Sequence, residues 1–396
     1  MPPKFHVAHI ITRLDMGGSA QNTLLTLLHL PTQGFELTLI TGPPSSAGEG
    51  RQERAILDER FDSVRKQGVR IIELASLVRN ISPRQDIRAL RLLILLLRRL
   101  APDGVHTHTS KAGLLGRVAA KIAGVPWVVH TAHGHVFSGH FGPALSRVFL
   151  WIEKLASAMT DHLIALTSGE ASDYVRLGVM AQDRISVIPS GVPVERFGVE
   201  AGMRPAKRRE LGLADENIIV GFVGWLWPVK GITLLLEAMI GILKEMPQVF
   251  LLIVGRGDEE RAIRERAAAA EVERQVLLLG WRSDVHEIMP CFDLLVLPSL
   301  NEGMGRVLVE AMAAGVCVIG TRVGGIPDLI KHGENGLLVP PADPIALRNA
   351  ILCLVNDPSS REEMGRKGAA MCRSFSVETM VSKISQVYEQ MEKLAG

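Results

Sequence analysis

The chain predicts an α/β fold built on two doubly wound parallel sheets, and three observations carry that expectation. Its 396 residues suit two domains, since a single domain usually holds about 100–200 residues. Short runs rich in Val and Ile alternate with helix-like runs almost throughout, the pattern of parallel strands joined by covering helices. A turn-rich and then basic segment, SGVPVERFGVEAGMRPAKRREL at 190–211, divides the alternation into two similar halves.

In the first half the strand-like runs are HVAHII (6–11), ELTLIT (36–41), RIIEL (70–74), GVHTH (104–108), WVVHT (127–131), HLIALT (162–167) and ISVIP (185–189). They do not alternate strictly, as befits strands covered on both faces. Helical stretches lie between them, among them 19–30, 84–103, 111–124 and 144–157. The second half repeats the scheme with IIVGFVG (218–224), VFLLIVG (249–255), VLLLG (276–280), DLLVL (293–297), VCVIG (316–320) and GLLVP (336–340). The last segment, 376–394, reads as one amphipathic helix. The expected domains are 1–198 and 199–375, both Rossmann-like, followed by a closing helix over 376–396 that packs back toward the first domain.

Composition narrows the function classes. A hydrophobic fraction of 47% with 22% charged residues excludes wholesale disorder. Forty-four basic residues against 42 acidic ones leave a net charge of +2, too small to argue for nucleic-acid binding. The densest aliphatic run, Leu92 to Leu97, is far shorter than the roughly 18 residues of a membrane span. The start of the chain is too short and polar for a secretory signal. Cys291, Cys317, Cys353 and Cys372 are scattered without a C-x-x-C pair, which fits a reduced cytoplasmic protein with buried thiols.

Open parallel sheets bind ligands at the carboxyl ends of their strands, so two facing sheets place a ligand in the cleft between domains. Glycine-rich turns at such ends leave room for a phosphate against a helix start. The chain has them at Gly17-Gly18, at Gly303 and Gly305, and at Gly324-Gly325. Each one alone equally suits a tight turn without a ligand. No G-x-G-x-x-G occurs, which disfavours a dinucleotide oxidoreductase.

The segment PSLNEGMGRVLVEAMAAG, 298–315, is the most informative. Glu302 falls in a turn and Glu310 eight residues later in a helix that Gly315 stops. Some 12 Å apart along a helix axis, the two carboxylates are too distant to share a proton or a metal. They suit the two ends of an extended ligand whose anionic centre lies over the helix start. The alternative is a capping Glu302 and a surface Glu310, although VLVEAMA surrounds Glu310 with apolar residues.

With E-x7-E in that setting, the chain resembles the retaining glycosyltransferases of family 4, the glycosyl transferases group 1 of bacterial surface-polysaccharide type. Other matching strings are LDMGGSAQ, HTSKAGLLGR, HTAHGHVF, IPSGV, GWLWPVKG, VCVIGTRVGGIPDLI and HGENGLLVPPADP, and the resemblance spans essentially the whole chain. It implies the GT-B fold, two Rossmann-like domains facing across a cleft, the first on the acceptor side and the second on the donor side. It implies transfer of a hexose or N-acetylhexosamine from a nucleotide diphosphate sugar, UDP favoured over GDP, to a saccharide or lipid-linked saccharide acceptor. Configuration is retained by front-face attack, with the leaving phosphate oxygen taking the acceptor's proton.

The resemblance assigns roles by position. Glu302 meets donor-sugar hydroxyls and Glu310 the ribose. Lys230 binds the diphosphate, as a mobile point charge suits a leaving group that gains charge. Gly17 and Gly18 approach the same phosphates, and backbone near Gly303, Met304, Gly305 and Arg306 completes the anion site. The loop from Trp281 through Arg282 to Val285 borders the base. His133, with His135 second, hydrogen-bonds a sugar hydroxyl near the reacting centre. Two departures stand out. Trp225 occupies the place of the usual arginine, with Arg306, and Arg13 behind it, as candidate substitutes. Asp328 stands where glutamate is more usual.

The histidines His106, His108, His130, His133, His135 and His140 invite a metal reading. The stretch lacks Cys and acidic ligands, and the chain lacks D-x-D as do the enzymes it resembles, so the resemblance implies no obligatory metal or other cofactor. Arg84, Arg88, Arg91, Arg98 and Arg99 flank the aliphatic run at 92–97. The helix there suits an ordinary sheet cover with solvated arginines; its alternative is a basic amphipathic surface on the inner face of the cytoplasmic membrane. The second basic, aromatic helix, 144–157, carries the same two readings. Competing functions are a sugar-nucleotide epimerase on the same fold and a non-catalytic nucleotide-sugar-binding subunit.

Overall fold

A computed structural model describes residues 5–14, 17–43, 51–134, 143–198 and 202–395. The chain forms two compact units, Met1–Gly191 with Val377–Gly396, and Val192–Ser376. It passes between them at 191/192 and 376/377, against expected boundaries at 198 and 375.

The first unit holds seven strands: β1 (His6–Ile11), β2 (Glu36–Thr41), β3 (Arg70–Glu73), β4 (Gly104–His108), β5 (Trp127–Thr131), β6 (His162–Ala165) and β7 (Ile185–Val187). All pairs are parallel, in the order β3-β2-β1-β4-β5-β6-β7. The second unit holds β8 (Ile218–Val223), β9 (Val249–Val254), β10 (Val276–Gly280), β11 (Leu294–Leu297), β12 (Cys317–Thr321) and β13 (Gly336–Val339). These are also parallel, in the order β10-β9-β8-β11-β12-β13. Both orders are the doubly wound 3-2-1-4-5-6 arrangement, which reverses its winding between the first and fourth strands. The reversal leaves a crevice at the carboxyl ends of β1 and β4, and another at those of β8 and β11.

Continuous burial explains the apolar runs. Every residue of β4, β5, β6, β11 and β12 is buried, as strands covered on both faces must be. Several expected strands are shorter than read. HLIALT ends at Ala165 because Leu166 and Thr167 belong to a helix start. The Thr167 hydroxyl accepts from the Glu170 amide at 3.1 Å, and the Glu170 carboxylate accepts from the Leu166 amide at 2.7 Å. This is a variant of the capping box that T-x-x-E encodes.

The ladder of DLLVL begins at Leu294, and Asp293 meets the start of β8 through both its amide, which donates to the Ile219 carbonyl at 2.9 Å, and its side chain. Its carboxylate accepts from Arg208 at 2.7 Å, Arg204 at 2.6 Å and the Ile219 amide at 2.7 Å. Arg208 is 1% exposed and spends its remaining donors on the carbonyls of Cys291, Asp215 and Asn217. The helix Val377–Ala395 belongs to the first unit, where Met380, Ile384, Tyr388 and Met391 join Leu27, Phe35 and Trp127 in one core cluster. Trp127 donates to Glu392 at 2.9 Å.

Removing one partner of a buried ion pair leaves an uncompensated charge. Asp293→Ala is expected to lower the unfolding free energy by about 3–5 kcal/mol, read from urea denaturation.

Candidate active site

In the second unit the turns after β8 and β11 are held together by backbone. Leu300 donates its amide to the Val229 carbonyl at 2.8 Å. Gly231 sits at φ +69° with its α-carbon against Pro298; a Cβ there would lie 2.2 Å from the Pro298 oxygen. Only glycine fits both demands. This contact carries Lys230 to Glu302: the ammonium meets the carboxylate at 2.6 Å, with both side chains largely shielded. Ser299 donates to the same carboxylate oxygen at 3.1 Å, and Thr321 fixes the Ser299 carbonyl at 2.6 Å.

The Gly324-Gly325 turn after β12 presses on the same loop. A Cβ on Gly324, at φ +49°, would lie 1.6 Å from the Glu302 carbonyl oxygen, and the Gly325 amide donates to Gly303 at 3.0 Å. Gly324 answers a need for close packing, and Gly325 contributes its amide. Met304 is buried, and Gly305 opens the helix Arg306–Ala313. Glu310 lies on that helix, partly exposed. Burial pushes its carboxyl above the ordinary glutamate range, opposed by the charge of Arg306.

Arg282 has its guanidinium engaged. It forks onto Asp284 at 2.8 and 2.6 Å and reaches Glu210 at 3.4 Å. Lys207 joins the same network through Asp284, Glu210 and Glu287. Hydrogen bonds from Arg282 hold the Asp284 carboxyl well below the usual range. Val285, partly buried, packs on the core.

In the first unit Gly17 is the extended residue before the helix Gly18–His29, which has no side-chain cap. His133 follows β5 in the left-handed region at φ +61°, uncommon for a residue other than glycine. Its neighbour Gly134 is pinned by an amide hydrogen bond to Glu170 at 3.0 Å. His133 Nε2 meets His108 Nδ1 at 3.1 Å, and burial lowers its pKa to about 3. His130 is a core residue held by Thr107 at 2.9 Å. His135 and His140 lie outside the described residues. His9, His106 and His108 bring three ring nitrogens within 4.8 Å of one another.

Two family models match the chain: the Glycosyl transferase 4-like domain over residues 17–191 and Glycosyl transferases group 1 over 203–371. An Escherichia coli relative, UDP-Gal:alpha-D-GlcNAc-diphosphoundecaprenol alpha-1,3-galactosyltransferase, is 31% identical over 98% of this chain and 97% of its own length. The chain belongs to the glycosyl transferases group 1 family. A Staphylococcus aureus capsular polysaccharide biosynthesis glycosyltransferase, CapM, is 26% identical over 93% of this chain and 97% of its own. Anabaena HepE, solved in complex with UDP, shares the fold with a TM-score of 0.80 at 21% identity, covering 98% of this chain and 100% of that one. The fold is therefore GT-B.

In this glycosyltransferase the residue in place of the usual arginine is neither core nor bare surface. Trp225 is partly exposed and stacks on Trp227, with ring centroids 5.0 Å apart and planes 9° apart. The guanidinium carbon of Arg256 lies 5.7 Å from the Trp225 ring centre. Sequence reasoning missed Arg256, Trp227, Ser299 and the His9–Tyr388 part of the histidine cluster. Trp227 and Ser299 had a signal, since both lie within the turns already singled out. Arg306 and Arg13 make interactions within the protein.

The raised pKa of Glu310 sets a sign. The folded state holds the proton more tightly than the unfolded one, so stability falls as pH rises through that window. Glu310→Gln is expected to melt above the wild type at pH 8. The gap should close as pH falls below about 4, the ordinary glutamate range, followed by thermal denaturation across pH.

Proposed function

We propose that this glycosyltransferase moves galactose from UDP-galactose to a lipid-linked diphosphate saccharide bearing N-acetylglucosamine. The observation that carries the donor side is the Lys230–Glu302 pair at the carboxyl ends of the two strands where the second sheet reverses its winding. A cation and a carboxylate side by side suit a ligand that is anionic at one end and rich in hydroxyls at the other. Lys230 turns to the diphosphate, Glu302 accepts hydrogen bonds from sugar hydroxyls, and Glu310 receives the ribose. Backbone of Gly303, Met304 and Gly305, with Arg306 and the helix start behind it, receives the phosphates. In the first unit, Gly17 and Gly18 suit phosphate contacts and His133 a sugar hydroxyl. Val285 and the loop of Arg282 border the uracil, with Arg282 itself holding the loop through Asp284. Arg256 supplies the positive charge that Trp225 does not. The choice of uridine, galactose and a lipid diphosphate follows the E. coli relative, aligned over nearly the whole of both chains.

The reaction breaks the bond between the sugar's C1 and the β-phosphate oxygen. It forms a bond from C1 to an acceptor hydroxyl oxygen on the same face. The acceptor's proton passes to the departing phosphate oxygen, giving UDP and the extended saccharide. Lys230 and the helix start stabilise the charge gathering on that phosphate, and no protein nucleophile takes part. In this reading no divalent ion is required.

The acceptor side falls to the first unit. Among the described residues no helix is long and apolar enough to cross a membrane. The helix Pro83–Leu100 buries Ala89, Leu93 and Leu97 and turns Ile87 and Leu95 outward among arginines. The helix Pro143–Ser157 exposes Leu145, Val148, Trp151 and Leu155, spaced three or four residues apart on one face, with Arg147 and Lys154 beside them. Apolar side chains ringed by cations suit an anionic lipid surface, where a lipid-linked acceptor resides.

Turnover is tested by UDP release and product mass with UDP-galactose, UDP-glucose and UDP-N-acetylglucosamine, with and without a GlcNAc-diphosphate-lipid acceptor. UDP-galactose is expected to be consumed only with acceptor, and EDTA to leave the rate within about twofold. Lys230→Ala should lower kcat by a factor on the order of 10²–10³. Trp151→Ser should slow transfer to acceptor in anionic vesicles and leave transfer to detergent-solubilised acceptor unchanged. Acceptor-independent conversion of the donor would favour an epimerase. Binding without turnover would favour a non-catalytic subunit.

A further inference from the structure

The first unit contains a continuous chain of side-chain hydrogen bonds that ends at His133. His9 and His106 are direct neighbours in the β1–β4 register, and His108 lies on the same face of β4 two residues on. The helix Val377–Ala395 brings Tyr388 to that face. Thr131 Oγ1 meets His106 Nε2 at 2.8 Å, and His106 Nδ1 meets the Tyr388 hydroxyl at 2.5 Å. The hydroxyl meets His9 Nε2 at 3.3 Å, and His9 Nδ1 meets His108 Nε2 at 3.1 Å. His108 Nδ1 then meets His133 Nε2 at 3.1 Å. His133 Nδ1 is buried and has no partner among the described residues.

A metal is a poor account of this cluster. Each of His9, His106 and His108 has both ring nitrogens in hydrogen bonds, so no lone pair is spare for an ion. Burial keeps all four imidazoles neutral, with His9 and His133 lowered to about 3 and His106 and His108 lowered as well. A neutral imidazole carries one N–H and one lone pair. Every link needs one hydrogen, so the direction of one link sets the direction of the next. The chain has only two complete arrangements, and they differ at the free end. In one, His133 presents an N–H at Nδ1; in the other, a lone pair.

The two bonds of the Tyr388 hydroxyl decide between them. A hydroxyl donor makes the shorter bond and an imidazole N–H the longer one. Tyr388 donating the 2.5 Å bond to His106 and accepting the 3.3 Å bond from His9 is the arrangement that matches this order of lengths. His9, His108 and His133 then each carry the hydrogen on Nε2. We propose that His106, Tyr388, His9 and His108 are positioning residues that fix the tautomer of His133, so that its Nδ1 presents a lone pair to a hydroxyl hydrogen of the bound sugar. This deepens the assignment of His133 to the donor sugar and rests on it. With so low a basicity, Nδ1 acts as a hydrogen-bond acceptor and leaves the sugar hydroxyl its proton.

The test is the side-chain nitrogen spectrum of the whole protein labelled with ¹⁵N-histidine, with His133 assigned by its loss in His133→Gln. The expected result is a pyridine-type Nδ1 and a pyrrole-type Nε2 at His133, unchanged by added Zn²⁺. Thr131→Val removes the acceptor at the far end. Either arrangement of this variant leaves one buried N–H unpaired, His106 Nε2–H in one and His133 Nδ1–H in the other, so the bias is lost and His133 should become a mixture of tautomers. A pyrrole-type Nδ1 should appear in part of the His133 population, and kcat/KM for the donor should fall about twofold. Tyr388→Phe keeps the ring beside Trp127 and Phe35 and should leave His133 a mixture of tautomers. A pyrrole-type Nδ1 in the wild type, or a His133 spectrum indifferent to both variants, would overturn the relay. So would Zn²⁺ shifting the signals of His9, His106 and His108. If the tautomers behave as stated and His133→Gln transfers at the wild-type rate, the relay stands and the sugar contact fails.

Discussion

Parallel strands deliver their loops to one edge, and a doubly wound sheet parts its helices where the winding reverses. In the second unit that constraint brings the turn after β8 against the turn after β11, tightly enough that Gly231 must touch the Pro298 carbonyl. The Lys230–Glu302 pair is a consequence of this contact between turns 72 residues apart. In the first unit the same constraint sets His9 of β1 beside His106 of β4, so the buried histidine chain grows from the equivalent place. Both groups of candidate site side chains hang from the strands where their sheets reverse their winding.

Several features fit the proposed donor site. A carboxyl raised in pKa by burial, as at Glu310, makes the unliganded fold less stable at neutral pH. His133 holds a left-handed backbone conformation and buries a nitrogen that no described residue engages. Such features persist where the surroundings over-determine them. Around Glu302 the over-determination is visible in Ser299, Thr321 and the Gly324-Gly325 turn; around His133 it lies in Glu170 and His108. By contrast, Arg208 with Asp293 satisfies a buried charge for the sake of the fold.

Much of this was legible in the sequence. All thirteen strands were, most of them because apolar β-branched runs covered on both faces leave an unbroken signature, although β3, β7 and β10 are only partly buried. Their ends were less so, since Leu166, Thr167 and Asp293 read as strand yet answer to a helix cap and, at Asp293, to the buried Arg208 and the partly exposed Arg204. Glu302, Glu310, Lys230 and His133 stood out singly. The pairing of Lys230 with Glu302 did not, because it depends on which strands are neighbours. The sequence groups His106 and His108 with the other clustered histidines, but His9 comes from another strand and Tyr388 from the far end of the chain. Arg282 looked available and is engaged by Asp284, a partner only two residues away whose reach the sequence does not reveal.

The central claim is that Lys230 is a diphosphate ligand held in reserve by Glu302. Calorimetric titration of UDP, which carries the diphosphate and no sugar, tests it most directly. Lys230→Met should weaken UDP binding, while Glu302→Gln, which frees the ammonium from its competitor, should bind UDP more tightly than the wild type. Loss of UDP affinity in Glu302→Gln to the same extent as in Lys230→Met would contradict the account. The pair would then be a structural clasp, with the diphosphate bound elsewhere.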